Sequence, residues 1–259
     1  MARENVFNFL GQVVNVPIVL YNEHTENYRI VFTMKVVRKK GRTDYPRINV
    51  YDLSEEEAKE YVSKMRPGVF AMVRGMIYTN VVQKLVRCES CGNVNSIDTF
   101  QTEILSYGKP YVMKEKPDVS EVVEFSNRGY VLGSLCSPVY RRDGASGNAA
   151  AQFQLAISRK YHTKDMDPET RTDYPWVKVF GGTAEECLKR LQVGSQIYAI
   201  CAFQTRDIER TVKCKSCDHK LNYEERLGEI VPTSVEFLNL CLFEKKDNES
   251  GRETHEEKV

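Results

Sequence analysis

The residues best suited to chemistry in this sequence are two cysteine pairs with the spacing Cys-x-x-Cys. They are Cys88 with Cys91 and Cys214 with Cys217, and each pair resembles one knuckle of a zinc ribbon. A structural zinc needs four ligands, and each pair supplies two, so the simplest solution is one zinc per chain held by all four thiolates. A site shared between two subunits, or a separate site that uses His219, stays open as an alternative.

A CxxC pair is also the motif of thiol–disulfide oxidoreductases. That chemistry favours a pair at a helix N-terminus within a βαβ unit, and neither context is predicted here, so zinc is the preferred interpretation. The remaining cysteines lie singly among apolar neighbours and are predicted to be inert core thiols: Cys136, Cys187, Cys201 and Cys241.

Composition and motifs argue against catalysis and against a membrane span. The 259 residues are 41% apolar and 28% charged, with a net charge of +1, which is an ordinary globular composition. No stretch approaches 18 consecutive apolar residues, and no secretory signal is evident at the N-terminus. The four histidines lie in no acid–base motif, and there is no P-loop or dinucleotide fingerprint. We therefore expect a cytoplasmic protein that is not an enzyme.

The elements that position the cysteines occur twice, because the chain is an internal repeat. The segment TDYP occurs at 43–46 and again 129 residues later, at 172–175. FTMKVVRK corresponds to FQLAISRK, and VRCESCGN corresponds to VKCKSCDH, in the same order. The predicted organisation is a first domain at 2–113, a linker at 114–120, a second domain at 121–243 and a disordered acidic tail at 244–259.

Each half shows the same order of predicted elements. Residues 29–37 have the β-branched, apolar character of a strand, and RINVYDL at 47–53 and WVKVFGG at 176–182 are predicted as short strands just after each TDYP turn. A helix with a capping box follows in each half, at Ser54–Glu57 and at Thr183–Glu186. Three strands, a helix and two strands predict an all-β fold with small helices. This is the order of two tandem OB-fold domains, each a five-stranded Greek-key barrel.

Several motifs carry a resemblance to a known family. A glycine precedes a proline by a few residues in the first strand, as in Gly133 with Pro138, and the second half continues with FQLAISR at 153–159. The segment 173–185 then has Asp, Val, Phe-Gly and Ala-Glu in the family's order. Both halves thus resemble bacterial single-stranded DNA-binding proteins (SSB family). The CxxC pairs and the ending THEEKV depart from the common family pattern.

The resemblance implies sequence-independent binding that coats and protects single-stranded DNA in replication, recombination or transfer. It also implies a homodimer, because two barrels per chain are half of the four-barrel assembly common in the family. Replication or recombination proteins are further possible partners. An RNA-binding OB-fold protein and a replication or protein-interaction adaptor are the alternatives.

A single-strand binder needs cations for the phosphates and exposed aromatic rings for the bases. The first half concentrates five net positive charges between residues 35 and 47, and we expect it to contribute more electrostatically. Alternation places Trp176 on a face with Lys178, although a core position is the alternative for any aromatic ring. The predicted DNA contacts are Lys35, Arg38, Lys39, Lys40, Arg42, Tyr45, Arg47, Tyr51, Arg159, Lys160, Tyr161, Arg171, Tyr174, Trp176 and Lys178.

Overall fold

The computed structural model describes residues 4–143 and 149–240. The elements of the first half are β1 (Asn5–Val13), β2 (Ile18–Asn22), β3 (Asn27–Val37), β4 (Thr43–Asp44), β5 (Arg47–Leu53), α1 (Glu55–Lys64), β6 (Phe70–Arg87), β7 (Val94–Ser106) and β8 (Tyr111–Val112). The elements that follow are α2 (Val119–Val122), β9 (Asn127–Leu135), β10 (Tyr140–Asp143), β11 (Ala149–Ser158), β12 (Thr172–Asp173), β13 (Trp176–Phe180), α3 (Gly181–Arg190), β14 (Gln196–Lys213) and β15 (Lys220–Asn239).

Each half closes into a five-stranded barrel. In the first half β1 pairs with β3, β3 with β5, β5 with β7, β7 with β6, and β6 with β1. In the second half β9, β11, β13, β15 and β14 repeat that cycle. All pairs are antiparallel except β5 with β7 and β13 with β15. The predicted fold of two tandem five-stranded barrels is therefore confirmed.

The first strands of the two barrels pair with each other. β1 and β9 are antiparallel neighbours, with Phe7 opposite Gly129. A Cβ atom at position 129 would lie 2.2 Å from Cε1 of Phe7. The Phe7 ring therefore occupies the space that a side chain at position 129 would need. Glycine is needed here because the aromatic ring covers its backbone directly. One sheet thus runs from barrel to barrel.

A single apolar core extends through both barrels. Phe7 and Phe9 of the first half each meet the Phe203 ring of the second half edge-on, with centroids 6.3 Å apart. Strands β9 and β11 alternate buried and partly buried positions, as the period of two requires. Shared burial of these rings holds the halves together in addition to the β1–β9 hydrogen bonds.

Sequence patterns gave β5 its observed limits and predicted the first helix cap. The Ser54 hydroxyl accepts from the backbone of Glu57, whose side chain accepts in return from the Ser54 backbone. The second predicted cap is wrong. Helix α3 begins at Gly181, which has a φ of +57°, so Thr183 lies inside the helix, and Phe180 at the N-cap makes no side-chain cap.

The last two long strands of each half extend far beyond the lengths that their apolar runs predicted. β6 and β7 stay paired out to Arg87 and Val94, and β14 and β15 out to Lys213 and Lys220. We call these two ribbons the arms. Each CxxC pair lies in the turn at the tip of one arm, between the fourth and fifth barrel strands.

The predicted domain limits remain a prediction. Helix α2 begins within the predicted linker, where the Asp118 side chain accepts from the Ser120 backbone at 2.8 Å. The predicted tail at 244–259 lies outside the described residues. None of the helices in the described ranges has the length and apolar composition needed to cross a membrane.

Candidate nucleic-acid interface and metal centre

The arm tips bring all four CxxC cysteines together. Their sulfur atoms lie within 4.8 Å of one another, with Cys88 Sγ 3.7 Å from Cys217 Sγ and Cys91 Sγ 3.7 Å from Cys214 Sγ. These separations are too long for disulfide bonds, which are about 2.0 Å. They match the edge of a tetrahedron with metal–sulfur bonds of about 2.3 Å, which is about 3.8 Å. The geometry fits a tetrahedral metal ion.

Each CxxC pair is held in a tight turn. The Cys88 backbone donates to the Asn93 carbonyl, and the Gly92 backbone donates to the Cys88 carbonyl, both at 2.8 Å. Gly92 has a φ of +74°, which glycine adopts without strain. The second turn repeats these bonds with Asp218 at a φ of +55° in the position of Gly92. The repeated turn points both cysteines of a pair to one side.

The surroundings shift the pKa values of two thiols in the cluster in opposite directions. In each pair the first cysteine is buried and the second is exposed. Backbone donors, Ser216 foremost, lower the pKa of the Cys214 thiol to about 6, and Asn95 Nδ2 lies 3.5 Å from its sulfur. The Asn93 backbone lowers the pKa of Cys91, but hydrogen bonds with the other thiols, Cys217 foremost, outweigh it and raise that pKa to about 12. A thiol must lose its proton to bind a metal, so metal binding here would release protons.

The remaining cysteines fall into three groups. Cys187 and Cys201 are buried as predicted, and burial raises the pKa of Cys187 to about 12. Cys136 is exposed just after β9, so its prediction as a core thiol is wrong. Cys241 lies outside the described residues. The two buried thiols are thus protonated packing groups at neutral pH.

A groove of about 950 Å³ runs between the second arm and the face of the second barrel. We call it the second groove. The barrel contributes β10, β11 and β13, the second arm contributes β14 and β15, and β7 of the first arm closes one side. The lining side chains with aromatic or cationic character are Phe100, Arg142, Trp176, Lys178, Arg206, Arg210 and Tyr223.

The predicted alternation along β13 is confirmed. Trp176 and Lys178 are partly exposed toward the groove, whereas Val177 and Val179 are buried. The Trp176 ring has its centroid 6.5 Å from that of Tyr140. Trp176 therefore lies on the open face of the barrel rather than in its core.

Two arginines of the second arm are fixed by buried carboxylates. Arg206 forms a bidentate ion pair with Glu229, at 3.0 and 3.1 Å, and Arg210 Nε lies 3.1 Å from Glu225. Each carboxylate is less than 8% exposed, while each arginine side chain is about half exposed. The guanidinium planes are thus held in place with their outer parts open to the groove. Planar guanidinium groups stack on bases as well as pairing with phosphates.

The first barrel has a smaller counterpart, the first groove, of about 210 Å³. It contains Tyr45 and Arg47 from the sequence prediction. The Arg226 guanidinium lies 5.0 Å from the centre of the Tyr45 ring, and Arg47 Nε lies 3.2 Å from a Glu103 carboxylate. The first groove thus also combines an aromatic ring with cationic side chains, in a smaller volume than the second groove.

Three predicted DNA contacts serve the barrels themselves instead. Arg159 is 3% exposed and forms a bidentate pair with buried Asp173, at 2.8 and 2.9 Å. Arg38 forms the equivalent ion pair with Asp44. Tyr51 is 8% exposed, and burial raises its pKa to about 12. We therefore correct these three predictions: the side chains are held inside the barrels. A residue's type alone does not show whether it is buried or paired with a buried carboxylate.

The other predicted contacts whose side chains are described lie outside both grooves. Lys39 pairs with Glu124, and Lys160 pairs with Glu4 at 3.1 Å. The Tyr161 hydroxyl donates to Asp52 at 3.2 Å. The side chain of Lys40 lies outside the described part of the structure. The remaining four predicted contacts are exposed but line neither groove: Lys35, Arg42, Arg171 and Tyr174.

Sequence analysis missed the arm residues of the second groove. Arg206 and Arg210 are four residues apart on β14, and a period of two places them on one face. The segment TRDIERTVK shows this spacing, but the spacing predicts a shared face only if the strand continues beyond its apolar residues. Nothing in the local sequence shows that this face turns toward Trp176.

The comparisons with known proteins agree with this geometry. Residues 126–226 match the Single-strand binding protein family. Single-stranded DNA-binding protein 1 of Chlorobaculum tepidum is 28% identical over 112 residues, which are 43% of this chain and 64% of that protein. The match thus spans somewhat less than two thirds of the relative's length.

Solved structures extend the likeness in fold to nearly the whole chain. The single-stranded DNA-binding protein of Thermus aquaticus superposes with a TM-score of 0.60 at 13% identity, over 92% of this chain and 95% of that one. A deletion variant of the same protein gives 0.58 at 13% identity, over 95% and 100%. In this chain of two OB-type barrels, residues 126–226 are thus similar to the single-strand binding protein family, and the likeness of the remaining residues is one of fold.

Proposed function

We propose that this protein binds single-stranded DNA with little sequence preference. The observation that carries the proposal is the second groove, where Trp176 and Lys178 lie opposite the half-exposed arginines of the second arm. Trp176, Lys178 and both arginines lie within residues 126–226, the part of the chain that matches the family. Stacking on aromatic rings needs only the π-face that every base has, so it binds without reading a sequence.

Some residues of the second groove would contact bases and others would contact phosphates. Trp176 and Tyr223 offer rings for stacking, and each stacked base contributes about 1–3 kcal/mol. Lys178, which forms no ion pair with any described residue, offers a charge for the phosphate backbone. Arg206 and Arg210 offer guanidinium planes already oriented by their carboxylate partners.

The first groove extends the same surface onto the first barrel. Ion pairs take up much of the basic cluster between residues 35 and 47, since Arg38, Lys39 and Arg47 all have acidic partners. The second groove is larger, at about 950 Å³ against about 210 Å³, and contains Trp176, so we propose that the second barrel contributes more to binding, in contrast to the charge count along the sequence. The first barrel adds contacts for longer strands.

We propose one structural zinc ion per chain at the four cysteines of the arm tips. Zinc would join the two arms through tetrahedral coordination by Cys88, Cys91, Cys214 and Cys217. The sulfur separations of 3.7 Å and the grouping of all four sulfurs within 4.8 Å support this assignment. A fixed arm keeps Arg206 opposite the barrel face, so the metal would act on binding through position and not through contact with DNA.

We further propose that the protein is a cytoplasmic homodimer that binds rather than catalyses. It would coat and protect single strands during replication, recombination or transfer, with proteins of those processes as further partners. Two barrels per chain give a dimer four barrels. Static light scattering tests the dimer, and a mass of about 30 kDa at micromolar concentration would contradict it.

A titration of fluorescent oligo-dT of about thirty nucleotides tests the main proposal. Binding should be tight at about 50 mM salt, weaken steeply at about 300 mM salt and resist duplex competitor, because phosphate contacts release counterions. Preference for a matched RNA oligomer would favour the RNA-binding alternative. Absence of binding at micromolar protein would overturn the proposal and favour the adaptor.

A further inference from the structure

A cleft of about 590 Å³ lies between the two barrels, lined by different residues from those of the grooves. One wall is the first barrel, at β6 and the loop after β7. The other wall is the start of the loop that joins β11 to β12. The polar and aromatic side chains that line it are Arg74, Ser106, Tyr107, Lys109, Lys160 and Tyr161.

The loop in question is longer in the second half of the repeat. Five residues separate Arg38 from Asp44, whereas 13 separate Arg159 from Asp173. The longer loop packs on the first barrel, where buried Met166 joins Tyr51 and other apolar side chains. The cleft therefore depends on a departure from the repeat, and it draws side chains from both barrels.

Two tyrosine rings in the cleft are held in fixed positions. Tyr107 and Tyr161 meet edge-on, with centroids 6.1 Å apart and planes at 80°. The Tyr107 hydroxyl donates to the Asn5 carbonyl, and the Tyr161 hydroxyl donates to Asp52. Because both hydroxyl groups are engaged, the rings are preorganised and cost little entropy when a flat ligand stacks on them.

One cation in the cleft is free of acidic partners among the described residues. Lys160 pairs with Glu4, and Lys109 pairs with Glu57. Arg74 is exposed and forms no ion pair within the described ranges. An unpaired arginine beside fixed aromatic rings suits a phosphodiester group that carries an unstacked base.

We infer that this cleft binds a nucleotide of a single strand as the strand passes from one barrel to the other. The loop that carries Tyr161 is followed along the chain by β12 and by β13, which begins at Trp176. The same segment of the second barrel therefore contributes to the cleft at one end and to the second groove at the other. This inference rests on the proposed function and adds a binding site that bridges the barrels. It predicts that the cleft contributes to the affinity for DNA strands long enough to reach both barrels, and not to the affinity for strands that fit one barrel.

The first test is photochemical crosslinking of the unaltered protein to oligo-dT of about thirty nucleotides that contains 5-iodouracil. Mass spectrometry should find crosslinks at Tyr107 or Tyr161 in addition to Trp176. Crosslinks at Trp176 alone would overturn the inference and leave the proposed function intact. No binding and no crosslinks at all would overturn the proposed function itself.

The second test compares Arg74→Ala with Arg66→Ala, a control at the exposed end of α1. Arg74→Ala should weaken binding of a strand of about thirty nucleotides about three- to tenfold, and lower its salt dependence by about one ion. A strand of about eight nucleotides, which fits one barrel, should bind unchanged. An equal loss for both lengths, or no loss for the long strand, would contradict the bridge.

Free thymidine monophosphate distinguishes a bridging site from a pocket for small molecules. We expect it to compete only weakly, because it lacks the second groove's contacts. Saturable micromolar binding of the mononucleotide that depends on Arg74 and leaves long-strand binding intact would overturn the inference.

Discussion

Thr79 of the first barrel donates its backbone N–H to Asp173 of the second barrel at 2.8 Å. The Thr79 hydroxyl lies 3.1 Å from the same carboxylate oxygen, and it accepts from the Tyr174 backbone at 3.2 Å. The base of the first arm is therefore bonded to the TDYP segment that precedes the strand of Trp176.

The reverse contact is present as well. Asp44 accepts from the Thr205 backbone at 2.9 Å, and the Tyr45 backbone donates to the Thr205 hydroxyl at 2.7 Å. Each TDYP segment thus binds the base of the arm that belongs to the other barrel. The repeated motif is explained by this exchange, and both carboxylates are fully buried.

The exchanged contacts should be measurable in the free energy of unfolding. Thr79→Val and Thr205→Val each remove a buried or partly buried hydroxyl, and we expect each to cost about 1 kcal/mol. Asp173→Ala should cost more, about 3–5 kcal/mol, because it leaves the Arg159 charge buried without its partner. Urea unfolding gives these values. Thr211→Val on the exposed part of the second arm is the control, and threonine variants no worse than it would contradict the assignment.

Trp176 should dominate base stacking. Trp176→Ala should weaken binding of oligo-dT about five- to hundredfold, which corresponds to about 1–3 kcal/mol for one stacked base. Trp176→Phe should retain most of the affinity because it keeps a π-face. Trp176 is the single tryptophan of the chain, so quenching of intrinsic fluorescence reports its contact directly. DNA binding without quenching would place the strand elsewhere.

Lys178 should contribute a phosphate contact. Lys178→Ala should reduce the slope of log affinity against log salt by about one, with a similar loss for every base composition. Fluorescence anisotropy at four or five salt concentrations measures that slope. Lys189→Ala on exposed α3 removes the same charge away from the groove and should leave the slope unchanged. Identical slopes for both variants would exclude Lys178 from the interface.

The arm-tip cysteines should bind about one zinc per chain. Cys214→Ser should abolish stoichiometric zinc, whereas Cys136→Ser, which changes an exposed cysteine outside the cluster, should not. Elemental analysis of protein prepared without chelators measures the metal. Less than half an equivalent in the unaltered protein would overturn the site.

Zinc removal should act on the arms more than on the barrels. The apolar core lies in the barrels, so circular dichroism should change little while affinity for single strands falls. Global unfolding after metal removal would contradict this separation.

Gly129 should tolerate no side chain while Phe7 is present. Gly129→Ala places a Cβ atom 2.2 Å from the Phe7 ring and should destabilise the fold by about 1–3 kcal/mol. Phe7→Leu should recover part of that loss in the double variant, since it shortens the colliding group. Additive effects of the two substitutions would argue against the contact.

Repetition and local pattern were enough to predict the duplication, the order of elements and the barrel class. Alternation placed Trp176 and Lys178 on an open face, because a strand's period of two is a local property. The prediction of β5 followed from its position just after the TDYP turn, and its limits agree with the structure.

Only the tertiary structure decided what each face meets. Arg159 is buried because it pairs with Asp173, which is 14 residues away in the sequence. Tyr51 is buried because it packs against Met166 in a loop of the other barrel. Four cysteines in two turns predicted a shared metal, but the β1–β9 pairing and the exchanged TDYP contacts hold the arms that bring the turns together. Sequence fixes which residue types alternate, whereas packing between the barrels determines which of them water and a ligand can reach.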